Sequence, residues 1–318
     1  MEYLPISAVI PTRDRAAIID RAFESLLSRG TLPAEIIVID ASTDSTTQAV
    51  MDRYAARVPS GCAFIWQPAV QAGAAVQRNQ GVACATQPFI CFFDDDILFE
   101  TDCLSELLRT LEADPNLGGV NAIIVNQSYH PPGRVSRVMF RFLHGQQESS
   151  YAGKVIGPAF NLLPENRDDL PVVVPVDWLN LGCTLYRREA LPTPPFDLLF
   201  TGYSMLEDLT LSLCVAKRWR LANVRTARIF HDSQPGKHKS DVAELARMEL
   251  VNRFFVMTRV LERTDLSDYG KFLLFQAFII ASSFNAQNWQ RTVPKILWGK
   301  LQGVGQLLFG GVPSLNSQ

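Results

Sequence analysis

Apolar and polar positions along the first hundred residues alternate between two periods. Short apolar runs at "ISAVI" (6–10), "AEIIVID" (34–40) and "CAFIWQ" (62–67), and the run opening "PFICFFDDD" (88–96), predict buried strands. Between them, "AAIIDRAFESLLSRG" (16–30) carries apolar residues at helical spacing and ends at Gly30. "STDSTTQAVMDRYAARV" opens on Ser, Thr and Asp, which suit a helix cap, and "AGAAVQRNQGVACA" (72–85) reads as a helix of small residues. Strand and helix in strict alternation predict a mostly parallel α/β sheet with crossover helices. In such sheets ligands sit beyond the carboxyl ends of the strands.

That edge is where the polar residues gather. Pro11, Thr12 and Arg13 follow the first predicted strand, Asp40 ends the second, and Asp94, Asp95 and Asp96 end the fourth. Three adjacent carboxyls against an apolar run repel and raise one another's pKa unless a cation or several donors sit among them. A solvated turn or helix cap is the alternative for such a cluster, as solvent exposure is for Arg13 and Arg15. No G-x-G-x-x-G follows the first strand and no G-x-x-x-x-G-K-[ST] occurs, so neither a dinucleotide fingerprint nor a P-loop is present. A nucleotide held through magnesium or manganese stays open, because such a cation commonly takes one or two carboxylates plus diphosphate oxygens.

Composition narrows the partners. The 318 residues are 47% hydrophobic with a net charge of −2, enough for a substantial core and with no general basic surface for nucleic acid. Six cysteines without C-x-x-C spacing fit buried, reduced thiols and a cytoplasmic protein. "MEYLPISAVIPTRDR" has neither the basic nor the long apolar region of a secretory signal.

Several ordered motifs resemble the family 2 glycosyltransferases of GT-A fold, from about residue 6 to about residue 240. They are "VIPTRDR", "VIDASTDST", "QRNQG" and "FFDDD", then "DWLNLGCTLYRREAL" (177–191), "PFDLLF" (195–200), "MLEDLTLSLCVAKRWRL" (205–221) and "ARIFHDSQPGKHKS" (227–240). The resemblance implies an α/β nucleotide-diphospho-sugar transferase domain over 1–240 and a C-terminal helical extension over 241–318. It implies an inverting enzyme that moves a sugar from a nucleotide diphosphate, UDP or TDP foremost, to a hydroxyl of a glycan or lipid-linked acceptor, with Mn2+ or Mg2+. Pro11, Thr12, Arg13, Asp40 and Arg78 would bind the nucleotide, and Asp94 and Asp95 would complete the donor side. Asp94, Asp96 and His231 would ligate the metal, with His238 competing for the histidine role. Asp208 would be the general base, with Trp178, Gly182, Cys183 and Glu207 on the acceptor side; Trp178 reads equally as core. Another metal-dependent nucleotide-using transferase, or an inactive relative that binds a glycan or membrane, are the alternatives.

The chain departs from the family pattern at Thr210, where many members have Asp, at Cys214, where an Arg is usual, and at Ile39, where many have the first Asp of a pair. Asp44 either assists the nucleobase or caps a helix. Residues 120–176 are polar and broken by prolines, the composition of an acceptor-side insertion or mobile loop. "AELARMELVNRFFVMTRVLER" (243–263), "FLLFQAFIIASSF" (272–284) and "VPKILWGKLQGVGQLLFGG" (293–311) mix apolar positions with Arg, Lys and Trp. Such segments suit either a packed helical hairpin or peripheral contact with the cytoplasmic face of a membrane over 243–311.

Overall fold

The computed structural model describes residues 2–100, 102–127, 129–200, 202, 204–233, 241–284 and 288–309. In chain order the elements are β1 (Glu2–Thr12), α1 (Ala16–Leu27), β2 (Thr31–Asp40), α2 (Thr46–Ala55), β3 (Ala63–Pro68), α3 (Ala74–Cys84), β4 (Phe89–Phe93), β5 (Ile97–Phe99), α4 (Cys103–Ala113) and β6 (Leu117–Ile124). There follow α5 (Arg134–His144), β7 (Val155–Ile156), β8 (Phe160–Asn161), β9 (Val173–Val176), β10 (Cys183–Arg187), α6 (Glu207–Ala216) and β11 (Arg220–His231). The chain ends in α7 (Val242–Phe255), α8 (Leu266–Ser283) and α9 (Trp289–Phe309). Two compact units result: Met1–Tyr129 with Leu163–Gln234, and His130–Leu162 with Pro235–Gln318. The stretch 130–162 therefore groups with the C-terminal helices.

The first unit holds a sheet in the order β3-β2-β1-β4-β10-β6-β11-β5, with β9 paired to β11. β3, β2, β1 and β4 run parallel, and β10 runs antiparallel between β4 and β6. β11 is parallel to β6, so its end at His231 lies on the same edge as the ends of β1, β2 and β4. Because β10 is antiparallel, its start at Cys183, opposite Phe93, lies there too. Strands buried on both faces explain the unbroken apolar runs: Ile6, Ala8, Ile10, Ile36, Val38, Cys91, Val120 and Leu185 are all fully buried. Phe23, Tyr54, Leu107 and Leu111 from the helices close one side of this core.

Gly81 fixes how α3 lies on the sheet. A Cβ there would stand 2.4 Å from Val9 Cγ1, so only glycine lets the helix reach β1 at this point.

The second unit is mainly helical. α9 carries Gly299 and Gly303 one turn apart; a Cβ on Gly299 would meet the Ala243 carbonyl oxygen at 2.0 Å, and one on Gly303 the Leu250 side chain at 3.2 Å. This small-residue seam lets α7 and α9 approach closely. Inside it, Lys300 donates to Glu249 and to Gln276 Oε1, the latter at 2.5 Å, while Glu249 also receives Arg253. Burial pushes the Lys300 ammonium down and the Glu249 carboxylate holds it up, with burial prevailing. α8 begins at a capping box of Asp265 and Asp268, six residues before the apolar run that announced it. Residues 130–162 are not loop alone: α5 starts directly after Pro131, Pro132 and Gly133, and its Phe140 packs edge-on against Tyr151 and Phe160. No helix among the described residues is long and apolar enough to cross a membrane.

Candidate active site

The fourth strand stops at Phe93, and Asp94 to Asp96 form the turn that leads into β5. A turn at a strand end lets neighbouring side chains aim in different directions, and the three carboxyls find three settings. Asp95 is 3% exposed and accepts from Thr12 Oγ1 at 2.7 Å and from Arg15. Burial pushes its carboxyl up to about 7 against the pull of Arg15 and Thr12. Asp96 is equally buried and accepts from Arg15 at 2.8 Å through Oδ2. Burial alone would raise the Asp96 carboxyl, but His231 and Arg15 together hold it below the usual carboxylate value. Asp94 is half-buried and accepts from Arg78 at 2.6 Å.

His231 faces Asp96 across the edge. Its Nε2 lies 3.1 Å from Asp96 Oδ1, an oxygen that is buried and makes no aligned hydrogen bond. The imidazole is held from behind by Gln127 Nε2, 2.8 Å from Nδ1. Asn126 brackets the His231 backbone, its Oδ1 accepting from the amide at 3.0 Å and its Nδ2 donating to the carbonyl at 2.8 Å. One ligand atom each from Asp94, Asp96 and His231 fall within 4.8 Å of one another. Two carboxylates and an imidazole, with one buried carboxylate oxygen that makes no hydrogen bond, fit a divalent cation such as Mn2+ or Mg2+. A metal on Nε2 would require the ring proton on Nδ1, and the Gln127 amide would accept it once turned so that its oxygen faces the ring. His238, the competing histidine, lies outside the described residues.

Arg78 joins this cluster to α6. It is 3% exposed, donates to Glu207 and to Asp94, and stacks 5.7 Å from the Phe196 ring centre. Burial opposes its charge, yet Glu207 and Asp94 raise its pKa. It thus contacts side chains that face the cluster. Each neighbour in "QRNQG" has a task. Gln77 donates to the Thr12 carbonyl at 2.9 Å and the Ile39 carbonyl at 2.7 Å, tying together the ends of β1 and β2. Asn79 exchanges hydrogen bonds of 2.8 and 3.0 Å with the Phe196 backbone.

α6 opens on Glu207 and Asp208, where a helix N-terminus favours negative charge. Ser204 and Leu206 hold left-handed backbone, at φ 54° and 71°, and so turn the chain sharply before the acidic pair. Thr210 braces this turn, donating from Oγ1 at 2.9 Å and from its amide at 3.1 Å to the Leu206 carbonyl. Burial pushes the Glu207 carboxyl up to about 8 against Arg78. Asp208 is half-buried and accepts from the Leu209 amide at 2.7 Å. Loss of solvent pushes its carboxyl up to about 6, against the pull of that amide and of Arg78.

The other expected residues divide. Pro11 and Thr12 end β1, where Thr12 is the register partner of Asp40 on β2 and Pro11 that of Ile39. Asp40 accepts from the Ser42 amide at 2.8 Å and from Trp66 Nε1 at 3.3 Å. Arg13 is half-buried next to Asp14, at 3.6 Å. Gly182 sits on the edge, its carbonyl accepting from the Asp94 amide at 3.4 Å. Trp178 is 5% exposed and presents no open platform, and Cys183 is fully buried in the sheet core. Asp44 lies just before the Ser45 N-cap of α2 and accepts from the Thr46 amide at 2.9 Å. The residues given no role from the motifs are Arg15, Gln77, Asn126 and Gln127. Arg15 is visible only as one of two arginines after a strand, Gln77 only as the first residue of "QRNQG", and Asn126 and Gln127 follow an apolar stretch without any spacing that marks them.

A parallel-strand edge with an acidic turn, an opposed histidine and an acidic helix start defines a GT-A type of α/β fold. The solved structures agree on that fold. A mannosyltransferase from Pyrobaculum calidifontis, in complex with GDP-Man and Mn2+, superposes with a TM-score of 0.54 at 14% identity, over 94% of this chain and 87% of that one. S. aureus TarS 1–349, in complex with UDP-GlcNAc, gives a TM-score of 0.54 at 17% identity over 98% and 82% of the two chains. By sequence, residues 7–163 match the family described as Glycosyl transferase family 2. A validoxylamine A glucosyltransferase of Streptomyces hygroscopicus subsp. limoneus is 32% identical over 95 residues, which are 29% of this chain and 20% of that protein. The chain thus matches about a fifth of that relative's length.

Proposed function

We propose that the protein is an inverting glycosyltransferase that moves a sugar from a nucleotide diphosphate, UDP or TDP foremost, to a hydroxyl of a glycan or lipid-linked acceptor. The observation that carries this reading is the linkage of the metal-fitting cluster Asp94, Asp96 and His231 to the acidic start of α6 through the single buried side chain of Arg78. Donor charge and acceptor activation are thereby held on one framework.

In this reading Pro11, Thr12, Arg13 and Asp40 border the nucleotide, and Asp94, Asp96 and His231 hold Mn2+ or Mg2+. The cation, when bound, offsets the charge that develops on the diphosphate. Asp208 takes the acceptor hydroxyl's proton; the oxygen forms its bond to the anomeric carbon as the bond to the diphosphate oxygen breaks, and the electron pair leaves with the nucleoside diphosphate. Attack opposite the leaving group inverts the centre. A base pushed up to about 6 is ionised at neutral pH yet more basic than an ordinary aspartate, which suits this task. Arg78 positions both ends, Asp95 and Arg15 brace the first loop, and Gly182 shapes the acceptor edge.

We assign the transferase chemistry to the sheet-bearing part of residues 1–240 and read the helices after 241 as an extension that contacts the cytoplasmic face of a membrane. The support is α9, which exposes Leu297, Trp298, Leu301, Val304 and Leu308 on one side, with Arg291 and Lys295 at its edge.

The test is incubation with a panel of radiolabelled nucleotide-sugars, membrane extract and Mn2+ or Mg2+. Label from at least one donor is expected in lipid or polymer, lost on chelation; no transfer from any donor would refute the assignment.

A further inference from the structure

α5 carries an exposed surface that the donor site does not use. Arg134, Arg137 and Arg141 are all exposed and recur at the spacing of one helix stripe. Val135, Val138 and Phe142 repeat that spacing one residue later and are 79%, 71% and 56% exposed. The solvent-facing half of the helix is thus a basic stripe beside an apolar one. The opposite half, Met139, Phe140 and Leu143, is buried, with Phe140 wedged against Tyr151 and Phe160. Burial of that inner face accounts for the fold of α5 and leaves the outer apolar stripe without a structural task. α5 contains no carboxylate, and among the described residues none of its three arginines is in an ion pair. Three guanidiniums with no ion pair among the described residues, on a chain of net charge −2, mark a local field opposite in sign to the molecule's own.

We infer that α5 is a docking helix for an anionic lipid surface, lying at the headgroup boundary with Val135, Val138 and Phe142 inserted and the arginines on lipid phosphates. Charge complementarity sets the sign of the partner. The adjoining aliphatic stripe selects its kind, because a bilayer interface accepts apolar side chains and cations side by side, whereas a nucleic-acid backbone rewards only the cations. This extends the membrane contact proposed for 243–311 to a second helix in residues 130–162, and gives that contact a lipid selectivity. It rests on that reading and is independent of the donor chemistry.

The experiment is co-flotation of the full chain with vesicles of phosphatidylcholine alone and with vesicles in which roughly a third of the lipid is phosphatidylglycerol. Wild type should favour the anionic vesicles strongly, and raised salt should remove the preference. The triple variant Arg134→Gln/Arg137→Gln/Arg141→Gln should lose on the order of a hundredfold in affinity for anionic vesicles. Phe142→Ser with Val138→Ser should weaken binding to both compositions. All five side chains are exposed, so thermal unfolding should be unchanged, and nucleotide binding measured without vesicles reads the donor site separately. Equal affinity for the two compositions, no vesicle binding, or an undiminished anionic preference in the triple variant would overturn the inference. So would retention on an oligonucleotide column in the absence of any vesicle binding.

Discussion

Asp208→Asn separates binding from chemistry at this site. The amide keeps an oxygen that can accept from the Leu209 N–H, now 2.7 Å away, and it adds no volume to the half-buried start of α6. Glu207 retains Arg78, so the link to Asp94 is untouched. What is lost is the proton acceptor. General base catalysis contributes about 10²- to 10⁴-fold, so turnover should fall by at least about a hundredfold, or about 2.7 kcal/mol in barrier. KM for the donor and the affinity for nucleotide diphosphate with Mn2+ should change little. The pH profile supplies an independent readout. With the carboxyl pushed up to about 6, it is ionised above that pH and protonated below it, so wild-type kcat/KM should fall tenfold per pH unit as pH drops below about 6. The residual activity of the variant should lack that limb. Label transfer from a radiolabelled donor, measured from pH 5 to 8 on both proteins, is the assay. Near-normal turnover by the variant, or an acid limb that survives in it, would remove Asp208 as the base.

Three further outcomes follow from particular contacts. Gly81→Ala places a Cβ 2.4 Å from Val9 Cγ1 and should cost about 1–3 kcal/mol in denaturant unfolding, since α3 must lift from β1. Lys300→Met leaves Glu249 buried with Arg253 as its remaining cation, so the loss should fall near or below the lower end of about 3–5 kcal/mol, with donor binding unchanged. Asp95→Asn keeps an acceptor for Thr12 and should reduce metal-dependent nucleotide binding much less than Asp96→Ala, as isothermal titration would show.

Much of the site could be read from sequence because it lies where strands end, and strand ends are announced by apolar runs that stop. Asp40, Asp94, Asp96 and His231 meet on one edge because β1, β2, β4 and β11 all point the same way. The partners inside the site were less legible. Arg15 differs from Arg13 only in direction: one turns onto Asp95 and Asp96, the other stays beside Asp14. Nothing in "PTRDR" fixes that choice, which depends on the left-handed backbone of Asp14 at φ 53°. Trp178 and Cys183, expected on the acceptor side by motif, are both buried: Cys183 starts β10, a central strand, while Trp178 lies in the segment before it. α5 escaped notice because its outer half is basic and its entry is proline-rich, so composition resembled a loop although Met139, Phe140 and Leu143 sit at helical spacing. Its grouping with α7 to α9 depends on contacts distant in sequence, which local pattern does not encode.

The central claim is that Asp94, Asp96 and His231 hold a divalent cation through which a nucleotide diphosphate binds. Thermal unfolding with UDP, GDP, TDP and CMP, each with and without Mn2+, tests it most directly. At least one diphosphate should stabilise the wild-type protein by about 2.7 kcal/mol when present at a hundred times its Kd, only with the metal, and Asp96→Ala should abolish the effect. Metal-independent stabilisation, stabilisation that persists in Asp96→Ala, or none with any nucleotide would contradict it.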